Sequence, residues 1–275
     1  MKLYVVATPI GNLDDISARA ISILKTVDLI AAEDTRHSRT LMQHYGIESP
    51  LIAYHDHNEA EASESLVAKL LAGTSIALIS DAGTPLISDP GYRLVKLARE
   101  RGIEVIPIPG PSALTAALSV SGLPTDRFLF IGFLPSKQRA RQAALQMVSK
   151  ESATIVCYES RHRIAESIRD MAEVLGGARV ATVARELTKR FEQTVQGPLA
   201  ELSEALNDKL ITEKGEFVVM IQGADSSGPE YDHVELMRAL LVELPPRKAA
   251  GVVSQITGES RKTLYDIALS LKQSD

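Results

Sequence analysis

Short apolar stretches recur along the first 110 positions, at Lys2–Ala7, Leu29–Ala32, Leu51–Tyr54, Ile76–Ile79 and Glu104–Ile108. Each is too short for a helix and is bounded by polar, glycine or proline breaks, which is the pattern of a buried strand. Between them the apolar positions change to helical spacing. Ile16, Ala20, Ile23, Leu24 and Val27 form one stripe, and Ser38–Tyr45 is a second helix ended by Gly46. Asn58 is placed to cap a helix carrying Leu66, Leu70 and Leu71. Asp89-Pro90 is placed to give an N-cap and a first-turn proline to the helix of Tyr92, Leu94, Val95 and Leu97. Pro109–Ala113 turns the last strand into a small-residue helix, Ala113–Val120. Strands alternating with helices predict a largely parallel sheet.

After a connecting stretch, Ser121–Asp126, a second alternating unit begins. Strands are expected at Phe128–Gly132, Thr154–Tyr158, Arg179–Ala184, Phe191–Gln196 and Glu216–Gln222. Helices are expected at Ser136–Ser149, Arg161–Leu175 and Leu199–Leu206, with Gly176-Gly177 stopping the second. Ala224–Glu230 reads as a flexible linker. Three short helices follow, Glu235–Leu244, Lys248–Thr257 and Ser260–Leu271, and the turn Thr257–Ser260 joins the last two as a helix-turn-helix. Two α/β domains (1–120 and 121–224) and a helical tail (230–275) are therefore expected.

Composition adds little to the fold and narrows the function. The net charge of −5 argues against indiscriminate coating of nucleic acid, without excluding local basic patches. The single cysteine, Cys157, excludes an internal disulfide and a thiolate-cluster metal site, and its apolar surroundings point to an inert buried thiol. There is no signal-peptide pattern and no apolar run of membrane length, so a reduced, cytoplasmic setting is expected.

The chemistry sits where strands end, because ligands of open α/β sheets bind beyond the carboxyl ends of the strands. Ser80–Gly91 is the richest such stretch. The loop Thr8-Pro9-Ile10-Gly11-Asn12 has one glycine where a dinucleotide fingerprint needs several, and no phosphate-cradling lysine motif occurs. Such loops can instead wrap a compact nucleoside through backbone groups, with Gly83 allowing close approach and Asp81 accepting from a ribose or favouring a cation. His55-Asp56-His57 has metal-ligand chemistry but no third partner placed by sequence, so no metal is expected. Glu33-Asp34 with Arg36 reads either as a helix cap with its ion pair or as a site. Arg185-Glu186…Lys189-Arg190 reads either as a solvated loop or as a site.

Six motifs in order carry a resemblance: Val5–Leu13, Ala32–His37, His55–Asn58, Ser80–Gly91, Ile108–Ala113 and Ala184–Lys189. Together they resemble, over essentially the whole chain, the bacterial small-subunit ribosomal RNA methyltransferases of the tetrapyrrole-methylase superfamily. The resemblance implies two α/β domains holding S-adenosylmethionine (AdoMet) in the cleft between them, a homodimer, and methyl transfer to the ribose 2′-oxygen of a cytidine in the decoding region of 16S rRNA in the small ribosomal subunit. It assigns cofactor contacts to Pro9, Ile10, Asp81, Ala82, Gly83, Thr84, Ser112, Ala113 and Tyr158. The porphyrin-modifying relatives have a richer glycine pattern in the first loop and Gly-Asp-Pro in the central one, which favours an RNA substrate here. A base or orienting group is expected among Glu33, Asp34, His55, Glu186 and Lys189, each in a loop after a predicted strand, with lysine able to serve if a dry site lowers its pKa. Arg36, Arg185 and Arg190 are expected to hold phosphates, and Arg261 and Lys262 to contact RNA from the tail. A tetrapyrrole methyltransferase and a catalytically silent RNA-binding protein remain the alternatives.

Overall fold

The computed structural model describes residues 2–224 and 232–273. The linker expected at 224–230 lies, beyond Ala224, outside the described residues, as does the expected start of the tail at 230. The chain divides into two compact units, 1–223 and 224–275.

The first unit opens with β1 (Lys2–Val6), α1 (Ala18–Thr26), β2 (Leu29–Ala32), α2 (Thr35–Tyr45), β3 (Leu51–Ala53), α3 (Glu59–Leu71), β4 (Ile76–Ile79), α4 (Tyr92–Glu100), β5 (Glu104–Ile108) and α5 (Ala113–Val120). The five strands form one sheet in the order β3-β2-β4-β1-β5, and every pairing is parallel. Strand alternation sends Ile30, Ala32, Ala77 and Ile79 to one face against α1 and α2. It sends Leu29, Ala31, Ile76 and Leu78 to the other, against α3 and α4. A sheet covered on both faces needs apolar residues at every position, which is why β2 and β4 read as unbroken runs.

Two caps differ from the sequence reading. Asn58 occupies the cap position of α3 but makes no capping bond; its side chain accepts from the His55 amide at 2.9 Å and donates to the Ala53 carbonyl at 3.1 Å. Asp89 does not cap α4. The chain runs two residues further, and Gly91 takes the cap at φ 136°, a conformation open to glycine and closed to most residues.

The second half contains β6 (Phe128–Phe133), α6 (Gln138–Met147), β7 (Thr154–Ser160), α7 (Ile164–Leu175), β8 (Val180–Arg185), β9 (Gln193–Pro198), α8 (Leu199–Asn207) and β10 (Glu216–Ile221). Its sheet, β6-β7-β10-β8-β9, is parallel only between β6 and β7 and antiparallel elsewhere, so the strand-helix alternation here does not build a parallel sheet. The reason is β9, which follows β8 after a seven-residue loop too short for a crossover. One face packs on α6, α7 and α8 through Ile155, Cys157, Val183 and Val219. Cys157 is fully buried, and burial drives its thiol pKa well up, as an inert thiol requires. The other face packs on α5, whose Leu114, Ala117 and Leu118 meet Val156, Ala184, Val218 and Met220. A helix of the first half thus completes the core of the second. The connection after α5 is fastened too: the Ser121 carbonyl accepts from Thr182 Oγ1 at 2.7 Å and Gln196 Nε2 at 2.9 Å.

The second unit contains α9 (His233–Leu241), α10 (Pro246–Thr257) and α11 (Arg261–Gln273). Met237, Ala249, Ala250, Val253, Leu264 and Ala268 form its core. Gly258, at φ 75°, ends α10 and makes the turn into α11.

Candidate active site

Between the two halves of the first unit lies a cavity of about 580 Å³. One wall comes from the strand-end loops of the parallel sheet. The Thr8 amide donates to the Gly83 carbonyl at 2.9 Å and the Gly83 amide returns a bond to Thr8 at 3.0 Å, which ties the loop after β1 to the loop after β4. Thr84 Oγ1 donates to the Pro111 carbonyl at 3.1 Å, tying in the loop before α5. Gly83 holds φ 83°, and a Cβ there would stand 3.4 Å from the Ile10 side chain. At the end of this wall Ser112 occupies the N-cap of α5 without a capping bond, and the Leu114 amide in the first turn of that helix faces the Tyr158 hydroxyl.

The facing wall comes from the mixed sheet. Tyr158 projects from β7, with Phe130 and Phe133 edge-on to its ring at 4.9 and 5.6 Å. Phe133 lies beyond a register irregularity in β6 and stays 53% exposed although it lines the cavity. A bulge of this kind re-aims the side chain that follows it. Burial pushes the Tyr158 phenol up to about 12, so it is a hydroxyl at neutral pH. Further round, Lys189 Nζ contacts Glu186 Oε1 at 2.9 Å and Glu216 Oε2 at 2.7 Å. Gly11 leaves no room for a Cβ against the Lys189 side chain, so the loop after β1 lies directly against this wall.

Both walls are strained. Five non-glycine residues have positive φ among the described residues, and four of them, Leu86, Ser88, Glu186 and Thr188, lie in the two cavity loops. Strain of about 1–3 kcal/mol per residue persists only where the surroundings enforce it, and it gathers at functional sites.

Of the cofactor residues assigned by resemblance, Ile10, Ala82, Gly83, Thr84, Ser112, Ala113 and Tyr158 line the cavity. Pro9 and Asp81 are not on the wall. Asp81 instead locks β4 to β2: its Oδ1 accepts from the Asp34 amide at 3.0 Å, and its own amide donates to Glu33 Oε2 at 3.4 Å.

The five expected catalytic groups separate. Glu186 and Lys189 line the cavity, and Glu33, Asp34 and His55 do not. Burial draws the Lys189 ammonium down, but its bonds to Glu216 and Glu186 outweigh this and leave it above its usual value, so it is a fixed cation and not the base a dry site would make. Burial raises Glu186, yet the Lys189 bond and the Glu216 amide leave it lowered overall. Asp34 caps α2 and pairs with Arg36 at 3.0 Å, which lowers it to about 2. Burial raises Glu33. His55 Nδ1 is enclosed without a hydrogen-bond partner.

Of the expected phosphate ligands, Arg185 is turned inward. It is 8% exposed, with Nε on the Lys214 carbonyl and Nη1 on that of Phe191, so its donors hold the chain and not an external anion. Sequence could not separate a strand-end arginine that points in from one that points out. Arg36 is open but paired, and Arg190 is exposed over the exposed ring of Phe191 at 5.6 Å. Arg261 and Lys262 are exposed on the first turn of α11.

Among the other wall residues, Phe133, Glu159 and Glu216 carry no sequence signal of their own; Asp89 reads in the sequence as a helix cap, and Arg161 and His162 read as part of a helix face able to contact phosphate. Glu159 is buried and held by Arg163 at 2.9 Å and the Ser167 hydroxyl at 2.6 Å. Among the described residues no group of three or more His, Cys, Asp or Glu is placed to hold a metal. No helix among them is long and apolar enough to cross a membrane.

The chain matches the family model of tetrapyrrole (corrin/porphyrin) methylases over residues 2–203, and residues 227–272 match that of the RsmI C-terminal helix-turn-helix domain. It is 53% identical over 265 residues to a ribosomal RNA small subunit methyltransferase I of Xylella fastidiosa, covering 96% of this chain and 97% of that one. It is 52% identical over 271 residues to the protein of that name in Pseudomonas aeruginosa, covering 97% and 96%. Among solved structures, uroporphyrin-III C-methyltransferase from Thermus thermophilus complexed with S-adenyl homocysteine superposes with a TM-score of 0.54 at 18% identity, over 80% of this chain and 97% of that one, a likeness of fold alone. With near-complete coverage at about half identity and both family models matched in order, the chain belongs to the ribosomal RNA small subunit methyltransferase I family of the tetrapyrrole methylases.

Proposed function

We propose that this protein transfers a methyl group from AdoMet to the ribose 2′-oxygen of a cytidine in the decoding region of 16S rRNA within the small ribosomal subunit, acting as a cytoplasmic homodimer. The observation that carries the reading is the division of the cavity. One wall offers backbone groups from three strapped loops, and the other presents rings and cations at an open edge.

The cavity fits the donor. Its volume of about 580 Å³ is in the range of cofactor pockets, about 300–1,000 Å³. The bare approach at Gly83 and the start of α5, where Ser112 makes no capping bond, suit a nucleoside carrying a carboxylate. Ile10, Gly83, Thr84, Ser112, Ala113 and Tyr158 would hold it. When bound, AdoMet supplies an electrophilic methyl on a sulfonium, chemistry that asks for no metal. The residues must then align the ribose oxygen behind that methyl and exclude water; orientation of this kind contributes about 7–11 kcal/mol. Phe133 offers its exposed ring to a nucleobase, and Arg161 and His162, exposed on the same cavity, offer donors to phosphate. The helix-turn-helix unit, with Arg261 and Lys262 leading α11, adds a second contact to RNA.

The test is direct. Small subunits from cells lacking the gene are incubated with purified protein and labelled AdoMet, and the rRNA nucleosides are separated by mass spectrometry. The expected product is 2′-O-methylcytidine at one position. Label on a base, or none, would refute the reading. Size measurement in solution tests the dimer.

A further inference from the structure

We propose that Asp89 is the general base of the reaction, a role that rests on the ribose-methylation reading above. Four carboxylates line the cavity: Asp89, Glu159, Glu186 and Glu216. Three are committed to cations, Glu159 to Arg163 and both Glu186 and Glu216 to Lys189. Asp89 has no ion pair among the described residues. A carboxylate already holding an ammonium or guanidinium is a weak proton acceptor, and one without a cation keeps its basicity.

The turn that carries Asp89 is tightly constrained. Leu86 at φ 74° and Ser88 at φ 66° stand on one side of Asp89, and Gly91 at φ 136° on the other. A Cβ on Gly91 would come within 2.9 Å of Leu78 and 3.0 Å of Leu86, and its amide is anchored on Glu59 Oε1 at 3.1 Å. Across the cavity, Gly132 in the β6 irregularity leaves only 3.3 Å between a Cβ and Ser88 Oγ. The turn that carries Asp89 is therefore held from both halves. Because Gly91 takes the cap of α4, Asp89 is not spent on the helix.

The groups around it are acids. Burial raises Asp89 first, then Glu33 after β2, with smaller contributions from Asp81 after β4 and Asp56 after β3; the Ser80 hydroxyl opposes them, and the balance is about 7. Tyr158 on β7 faces it as a neutral phenol. Arg161 and His162 line the same cavity. A base is most effective when its pKa lies near the working pH. In the proposed step, the bond from the ribose oxygen to the methyl carbon forms as the neutral thioether departs with the electrons of its former bond. The 2′-hydroxyl proton passes to the Asp89 carboxylate, which later returns it to solvent.

The test combines single-turnover rates on small subunits with binding and melting measurements. Asp89→Asn is expected to lower the rate by about 10²-fold or more while AdoMet and subunit affinities stay within about twofold. The wild-type rate should fall on the acid side with a midpoint near 7. Glu33→Gln, which removes a neighbouring charge, should move that midpoint to lower pH. Asp89→Glu should keep an acid limb at reduced rate. Without cofactor, Asp89→Asn should melt higher than wild type above pH 7 and lose that advantage as the pH falls towards 3.8, because the carboxylate is harder to ionise when folded. An Asp89→Asn rate within about threefold of wild type, or an acid limb that Glu33→Gln leaves in place, overturns the assignment to Asp89 alone. A wild type that gives no 2′-O-methylcytidine overturns the substrate reading and the base with it.

Discussion

The two cavity walls are built on opposite plans. The parallel-sheet wall presents backbone: short strands end together, their loops are cross-tied by Thr8, Gly83 and Thr84, and among the described residues its one unpaired side-chain charge is Asp89. The mixed-sheet wall presents side chains: Phe133, Tyr158, and a lysine between two glutamates. A backbone wall tolerates changes in side-chain chemistry and fails when the backbone is reshaped. A side-chain wall behaves in the opposite way.

The largest expected effect is on the first wall. Gly83→Val puts a branched side chain at φ 83° against Ile10, and AdoMet affinity by calorimetry should fall at least about tenfold, with a lower melting temperature from about 1–3 kcal/mol of strain. Ala82→Ser, in the same loop but without that conformation, should bind AdoMet normally; if it binds as poorly as the valine variant, the backbone account of this wall fails.

Next comes Phe133→Ala. It should raise KM for small subunits several-fold, consistent with about 1–3 kcal/mol per stacked base, and leave AdoMet affinity unchanged, while Phe133→Tyr should restore KM. Equal losses in both affinities would erase the division between the walls.

Lys189→Met leaves Glu186 and Glu216 without their cation. The pair stabilises the fold only where both partners are charged: Glu186 loses its share as the pH falls through its lowered pKa, and Lys189 as the pH rises through its raised one. A loss of about 0–1 kcal/mol at pH 7, vanishing in acid, is expected from melting curves. Outside both walls, Arg261→Ala with Lys262→Ala should weaken subunit binding and reduce its salt slope by about one per residue, without touching AdoMet affinity. Smallest is Arg36→Ala. Asp34, lowered to about 2 by that arginine, contributes above its ordinary carboxylate range and loses the contribution as the pH falls towards 2, and because the pair is exposed no melting shift is expected at pH 7.

The contrast between the walls also explains what sequence could reveal. The first sheet is legible because strands buried on both faces read as solid apolar runs, and the cavity residues of its loops sit directly after them. The second sheet shows its strands but not their direction, because β9 has the same alternation whether it runs up or down. Asp89 misleads for a physical reason: aspartate-proline before an apolar helix is a capping signal, and only the φ of Gly91 moves the cap two residues on. Phe133, Arg161 and His162 enter the site through a strand irregularity and a turn, which leave no period in the sequence. Arg185 and Lys189 stand out in the sequence without declaring their roles, since burial and pairing decide whether a cation grips the chain, a neighbour or a ligand.

Helix α5 belongs to one half by sequence and to the other by packing, and the residue after it is held by Thr182 and Gln196. The enzyme therefore has no free pivot where its halves join. To swing the sheets apart at this join would break both bonds to the Ser121 carbonyl and uncover Leu114, Ala117 and Leu118, as in a vice whose jaws share one casting.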